Sequence, residues 1–298
     1  MFLFYLPGLF LRIPKYELIH IFSASYWSYS FWSLPPLLIG KLFGKIVILN
    51  YRSGEAQDHL SGWRTAVSSI RLADYIVAPG QYLVDVFAKF GLCVTSIPNI
   101  LDPADLIYRR RSKLRPLFLS NRGLEPIYNV ECILRAFAIV QKQYPSAQLT
   151  VAHDGSCRAK LIALTTQLGL QNVSFIGRVE QHDMADLYDS IDVYLTSPNF
   201  DCMPNSLLEC FAAGVPFVAT KAGGIPYIVR HDETGLLVEC NDHEAMAACC
   251  LQLLNDKNLV ERLTTQAYLE LQKYSARFVS DRWVEIYKKA AERSVKNH

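Results

Sequence analysis

Two acidic side chains, Asp201 and Glu209, flank a Met203-Pro204-Asn205-Ser206 segment where a strand runs through a loop into a helix ending at Gly214. Ligands of open α/β sheets bind at such junctions. At about 100° per residue, Asn205, Ser206 and Glu209 fall on one side of the helix, and Leu207, Leu208 and Phe211 on the other. The apolar side can pack on a sheet, leaving the polar side beside a helix start whose free N–H groups attract anions. That first turn suits a phosphate. Glu209 lies one turn further in, past the strongest positive potential, and suits a hydroxyl donor such as ribose. A second junction, Lys221-Ala222-Gly223-Gly224, could let backbone amides approach a diphosphate. Taken alone, the helix reads equally well as an ordinary amphipathic one with proline at its start and a solvated glutamate.

Strands and helices must hold these junctions in place. Short β-branched runs alternate with helical patterns along most of the chain, which predicts α/β structure with doubly wound parallel sheets. A first series has strands at Leu18–Phe22, Ile46–Asn50, Tyr75–Val77 and Val94–Ile97, with helices near Pro35–Phe43, His59–Leu72 and Gln81–Phe90. A second has strands at Leu117–Ser120, Gln148–Ala152, Val173–Ile176, Val193–Thr196 and Phe217–Thr220, with helices at Val130–Gln143, Arg158–Leu168, Met184–Ser190 and Pro204–Ala213. Between them, residues 104–115 carry Arg109, Arg110, Arg111, Lys113 and Arg115 and read as a solvated linker in preference to a headgroup- or phosphate-binding patch. The expected domains are 1–103 and 116–275, with a helix over 276–298 returning toward the first; its apolar stripe is Phe278, Trp283, Ile286 and Tyr287.

At 298 residues, 51% hydrophobic and 19% charged, the chain can build two cores. A net charge of +2 creates no field that implies nucleic acid. Its eight cysteines show no C-x-x-C pair and no zinc-ligand spacing, which suits a reducing cytoplasm. Pro7, Arg12, Pro14 and Lys15 interrupt the apolar start before the roughly 20 residues that cross a bilayer. With no cleavage pattern either, a buried or interfacial segment is expected, not a span or a secretory signal. The P-loop, H-E-x-x-H and G-x-S-x-G patterns are missing, which removes the common ATPase, metalloprotease and serine-hydrolase readings.

In these residues the chain resembles glycosyltransferase family 4, whose members have the GT-B fold of two facing Rossmann-like domains. Asp201 and Glu209 stand in the spacing of the family's E-x7-E motif, and an L-E-x-F-A-x-G-x-P ending runs from Leu208 to Pro216. Gly223-Gly224-Ile225-Pro226, Gly235-Leu236-Leu237-Val238 and Ile97-Pro98-Asn99 with Asp102 match further motifs in the family's order. The resemblance implies that Glu209 holds the ribose hydroxyls and Asp201 the donor-sugar hydroxyls. Met203, Pro204, Asn205 and Ser206, with Gly223 and Gly224, would hold the diphosphate and sugar. Arg122 would neutralise the leaving diphosphate.

Six residues on, where the family has a lysine, stands Tyr128. One formal positive charge is lost there, so either Lys221 or another cation compensates or turnover is slow. Tyr227 replaces an acidic residue that often follows Gly-Gly-Ile-Pro. His153 and Asp154 would border the donor. In the first domain, Tyr51 and Arg52 follow a strand end and could face the acceptor, where the family often has a histidine. Family members also begin with a strand, a glycine-rich loop and further βα units that do not precede Tyr16–Phe22 here, so the first domain reads as shortened.

The implied activity is retaining transfer from a nucleotide-sugar, UDP-linked by preference, to a glycan or lipid-linked acceptor, in the cytoplasm or at the membrane surface. The alternative is a catalytically weak or inactive sugar-nucleotide-binding subunit or fragment. The D-x-D arrangement that holds a divalent cation on donor phosphates is absent, so neither metal nor cofactor is expected.

Overall fold

The computed structural model describes residues 2–101, 106–111 and 113–296, excepting the side chains of 2–4, 64 and 294–296. Asp102 and part of the expected linker lie outside the described residues. The chain forms two compact units, Met1–Ile100 with Ala276–His298, and Leu101–Ser275.

The first unit is a four-stranded parallel sheet in the order β1-β2-β3-β4: β1 (Leu18–Ser23), β2 (Ile46–Tyr51), β3 (Tyr75–Ala78) and β4 (Thr95–Ser96). All six residues of β2 are buried, because an internal parallel strand is covered on both faces. The predicted helix over His59–Leu72 is two helices, Ala56–Gly62 and Arg64–Ile70. They break at Trp63, whose φ of −118° and ψ of 83° leave the helical region. The Ala276–Lys296 helix adds Val279, Ile286 and Ala290 to a core with Ile46, Ile48, Val77 and Ile97. Of the expected stripe only Ile286 is buried; Phe278 and Tyr287 remain exposed. Among the described residues no helix is long and apolar enough to cross a membrane.

The second unit holds six parallel strands in the order β10-β9-β8-β5-β6-β7. They are β5 (Leu117–Ser120), β6 (Gln148–Val151), β7 (Val173–Phe175), β8 (Val193–Thr196), β9 (Phe217–Thr220) and β10 (Leu236–Val238). Alternate residues feed two cores. Phe118, Val193, Leu195 and Val218 face the Val130–Gln143 helix side, while Leu119, Tyr194, Phe217 and Ala219 face the Asn205–Ala213 helix. Gly214 ends that helix in the left-handed region at φ +63°, and a Cβ there would lie 2.8 Å from the Arg109 carbonyl oxygen.

The basic run is solvated only in part: Arg110, Lys113 and Arg115 are exposed as expected, whereas Arg111 is folded into this unit. Arg111 is 4% exposed. It donates to the carbonyls of Ala213 (2.7 Å), Gly214 (2.8 Å) and Tyr188 (3.0 Å). Its neighbours Arg109 and Arg115 join it around Asp192, which is 2% exposed. Five peptide carbonyls and the Asp192 carboxylate satisfy the Arg111 guanidinium, which offsets part of the cost of its burial; that burial still lowers its pKa to about 10.

Candidate functional site

The strand order of the second unit reverses at β5 and β8: from β5 the chain winds through β6 and β7 on one side, then β8, β9 and β10 on the other. Ligands sit outside the carboxyl ends of strands at such a reversal. The loop after β5 carries Asn121 and Arg122, and the loop after β8 carries Asp201 and leads into the Asn205–Ala213 helix. Cross-links tie the loops together. Asn199 N donates to Ile127 O (2.8 Å) and Ser197 Oγ to Asn129 O (2.7 Å). Leu124 N donates to Asp154 O (3.0 Å) and Gly224 N to Asp201 O (2.8 Å).

Arg122 pairs with Asp201 through Nη2. Its guanidinium carbon also lies 4.6 Å from the centre of the Tyr128 ring. Tyr128 supplies no charge where the lysine would be, but its π face packs against the Arg122 cation. The Nε of Arg122 is buried with no hydrogen-bond partner among the described residues. Burial opposes the charge of Arg122, yet Asp201 and the nearby phenols more than offset it and hold its pKa above the ordinary value. Burial raises the Asp201 carboxyl above its usual range, partly countered by Arg122 and the Met203 and Cys202 amides. Burial likewise raises Glu209, against the opposing pull of the Tyr188 phenol and Arg122. The structure thus brings Arg122, Asp201 and Glu209 into one electrostatic unit.

Several sequence expectations change in detail. Pro204 is the residue before the helix, with φ −69° and ψ 115°, and Asn205 opens it. Met203 and Pro204 are buried, and Asn205 is exposed. Ser206 is buried, not on an open polar face, because the helix is covered along the flank it shares with Leu207 and Cys210. Gly224 does not offer its amide to a diphosphate, since that N–H is taken by Asp201 O. The glycine pair is needed for close approach instead: a Cβ on Gly224 would lie 1.9 Å from Cys202 O, and one on Gly223, at φ +54°, 2.4 Å from Asp201 O.

Lys221, expected as a compensating cation, is exposed and paired with Glu239 at 2.7 Å. His153 donates from Nδ1 to Asp154 O (2.7 Å), and its ring lies beside Gly123, next to Arg122. Asp154 is exposed and accepts from Gly155 N (2.9 Å). Tyr51 cannot face an acceptor: it is fully buried, with its phenol on Ser25 Oγ and His59 Nδ1, each at 2.8 Å. As the last residue of a strand covered on both faces, it belongs to the core. Arg52, one residue on, is exposed and donates to Asn99.

Sequence reasoning missed Asn121, Tyr188 and Tyr194. Tyr194 donates to Asn121 Oδ1 (2.8 Å), Asn121 Nδ2 donates to Tyr188 Oη (3.0 Å), and Tyr188 donates to Glu209 Oε2 (2.7 Å). The available signal was weak: two tyrosines in apolar surroundings, each needing a partner for its hydroxyl. Among the described residues no group of three or more His, Cys, Asp or Glu side chains is placed to hold a metal ion.

The sequence pattern of the glycosyl transferases group 1 family matches residues 109–270, more than half of the chain. The chain belongs to this family. LpsE, a lipopolysaccharide core biosynthesis glycosyltransferase of Rhizobium meliloti, is 25% identical over 246 residues, covering 80% of this chain and 71% of LpsE. An exopolysaccharide phosphotransferase of Streptomyces coelicolor is 30% identical over 209 residues, which is 70% of this chain but 22% of that protein. The N-acetyl-alpha-D-glucosaminyl L-malate synthase of Bacillus anthracis is 28% identical over 52% of this chain and 40% of its own length. This group 1 chain therefore spans less than half of the last two. Anabaena HepE in complex with UDP superposes with a TM-score of 0.84 at 16% identity, over 95% of this chain and 82% of that one. Its complex with UDP-glucose gives 0.78. At that identity the likeness is one of fold: two parallel α/β sheets of the GT-B class.

Proposed function

We propose that this group 1 chain moves a sugar from a nucleotide donor, UDP-linked by preference, to a glycan or lipid-linked acceptor, with retention at the anomeric carbon and without a metal ion. The observation that carries the reading is the convergence of Arg122, Asp201 and Glu209 where the strand order reverses. In this reading Glu209 accepts from the ribose hydroxyls, the N–H groups of the first helical turn and Arg122 meet the diphosphate, and Asp201 meets the sugar hydroxyls. The unpartnered Arg122 Nε is a donor that an incoming phosphate oxygen would satisfy. The UDP and UDP-glucose complexes of HepE support the choice of base.

In the reaction the bond between C1 and the phosphate oxygen breaks, and its electron pair stays on the diphosphate. Arg122 and the helix amides stabilise that charge. The acceptor oxygen bonds to C1 on the same face and its proton passes to the departing phosphate oxygen, so no nucleophilic side chain is needed. Incubation with UDP- and GDP-sugars should release nucleoside diphosphate at a rate insensitive to EDTA. Strict dependence on Mn²⁺ rejects the mechanism. The charge of Arg122, already shared with Asp201, and the neutral Tyr128 favour a second reading as a weak or inactive donor-binding subunit. Nucleotide binding in calorimetry with no transfer to any acceptor would select it.

The surface of the first unit supports peripheral membrane contact. Leu6, Phe10, Leu11, Leu42 and Phe43 are exposed, and so are Arg12 and Lys15. Exposed apolar side chains together with exposed cations suit an anionic bilayer surface. Co-flotation with anionic liposomes at low salt, weakened at high salt, is expected; no binding at either salt ends this reading.

A further inference from the structure

Glu209 is not free to choose its own rotamer. One of its oxygens, Oε2, accepts from the Tyr188 hydroxyl at 2.7 Å, and Oε1 takes no hydrogen bond from the described residues. Tyr188 is fully buried, on the helix Met184–Ser190. Its hydroxyl has a second acceptor in range, the Ser206 carbonyl at 3.5 Å, yet the short bond goes to the carboxylate. Upstream the hydrogens run in one direction. Tyr194, with a single hydroxyl proton, gives it to Asn121 Oδ1, which orients the amide so that Nδ2 donates to Tyr188 Oη. Tyr188 is then left to donate onward to Glu209. Each bond in such a chain polarises the next. The backbone of Tyr188 is held as well, since its carbonyl accepts from buried Arg111, which also binds the carbonyls at the far end of the Glu209 helix.

We propose that Tyr188, set by Asn121 and Tyr194, is a positioning residue for donor recognition: it occupies one oxygen of Glu209 and so presents the other, in a single orientation, to the nucleoside ribose. This rests on the reading of Glu209 as the ribose-binding group. A glutamate has three rotatable side-chain bonds, and ordering it before the ligand arrives removes part of the cost of binding. Its Cα–Cβ bond tilts toward the helix N-terminus, so the tethered carboxylate reaches back beside the turn assigned to the diphosphate. A core tyrosine with only a packing role would leave nucleotide recognition indifferent to the loss of its hydroxyl.

Tyr188→Phe keeps the ring and removes only the oxygen. Calorimetry would use whichever of UDP and GDP binds the wild-type chain more tightly, together with the same nucleotide lacking both ribose hydroxyls. The wild type should prefer the ribose form, and Tyr188→Phe should lose about ten-fold of that preference while binding the hydroxyl-free analogue as the wild type does. Tyr194→Phe, two bonds further back, should lose a smaller part of the same preference. The acid limb of ribose-nucleotide binding should also move to higher pH in Tyr188→Phe, because the carboxylate loses a donor that favours its ionised form.

Equal loss for both ligands, or no loss, overturns the positioning role. Glu209→Gln separates the two levels. If it abolishes the ribose preference and Tyr188→Phe does not touch it, only the present proposal fails. If Glu209→Gln also leaves the preference unchanged, or neither nucleotide binds, the assignment of Glu209 fails first and carries the role of Tyr188 with it. Should Tyr188→Phe melt below the assay temperature, the Tyr194→Phe result decides by the same comparison.

Discussion

Arg122→Ala is expected to lower transfer at saturating donor by about 10²–10³-fold. Among the described residues Arg122 is the one cation held against Asp201 and the Tyr128 ring, where the family resemblance expects two. Its charge acts mainly when negative charge builds on the leaving phosphate, so turnover should suffer more than donor affinity. The substitution also leaves Asp201 without its cation, although its carboxyl is already raised by burial. At neutral pH that group would hold a proton more readily and make a poorer acceptor for sugar hydroxyls. Arg122→Lys should recover only a small part. A lysine is a point charge without the planar fork that reaches the carboxylate and lies flat on the tyrosine. Steady-state release of nucleoside diphosphate measures both variants, and a loss in Arg122→Ala of under about three-fold would remove Arg122 from the reaction.

The largest structural effect is expected at Asp192. Its carboxylate accepts from Arg115 N (2.7 Å) and Nε (2.8 Å) and from Arg109 Nη2 (3.0 Å), with Arg111 Nε at 3.4 Å. Asp192→Ala leaves the buried Arg111 guanidinium without its counter-charge, beside the two like charges of Arg109 and Arg115. Breaking a buried pair from one side costs about 3–5 kcal/mol, which for a chain of this size lowers the melting midpoint by roughly 10 °C. Burial pushes the Asp192 carboxyl up, but the hydrogen bonds and charges of Arg115 and Arg109 outweigh it and hold the group below the ordinary carboxylate value. A depressed folded pKa adds stability above the unfolded pKa, about 3.9, and that stability fades as pH falls through the folded value. The gap between wild-type and Asp192→Ala midpoints should therefore be full near neutrality and narrow below about pH 4. A gap that stays constant through the acid range would show that the ionised carboxylate is not what holds the arginines.

How much of this was legible in advance depends on the residue. β5, β8 and β9 were read to the residue because they are short apolar runs between chain-breaking neighbours and are buried on both faces. That Glu209 lies on the side of its helix opposite Leu207, Leu208 and Phe211 could be read from spacing, since a helical wheel fixes which side chains share a face, although Ser206 proved buried. Contacts between distant segments could not. Nothing local marks Tyr188 as the partner of Glu209, 21 positions away, or Arg111 as a clamp on carbonyls about a hundred residues on. Tyr51 was misassigned because a strand-end residue can turn to solvent or to the core, and only the Ser25 and His59 partners decide. A charge run reads as solvated until a buried carboxylate such as Asp192 is placed opposite it.

The most direct test is electron density for UDP or GDP soaked into crystals of the chain. The account predicts the diphosphate on the amides at the start of the Asn205–Ala213 helix and on Arg122, with a ribose hydroxyl within hydrogen-bond distance of Glu209 Oε1. A nucleotide bound elsewhere, or one whose ribose leaves Glu209 untouched, would contradict it.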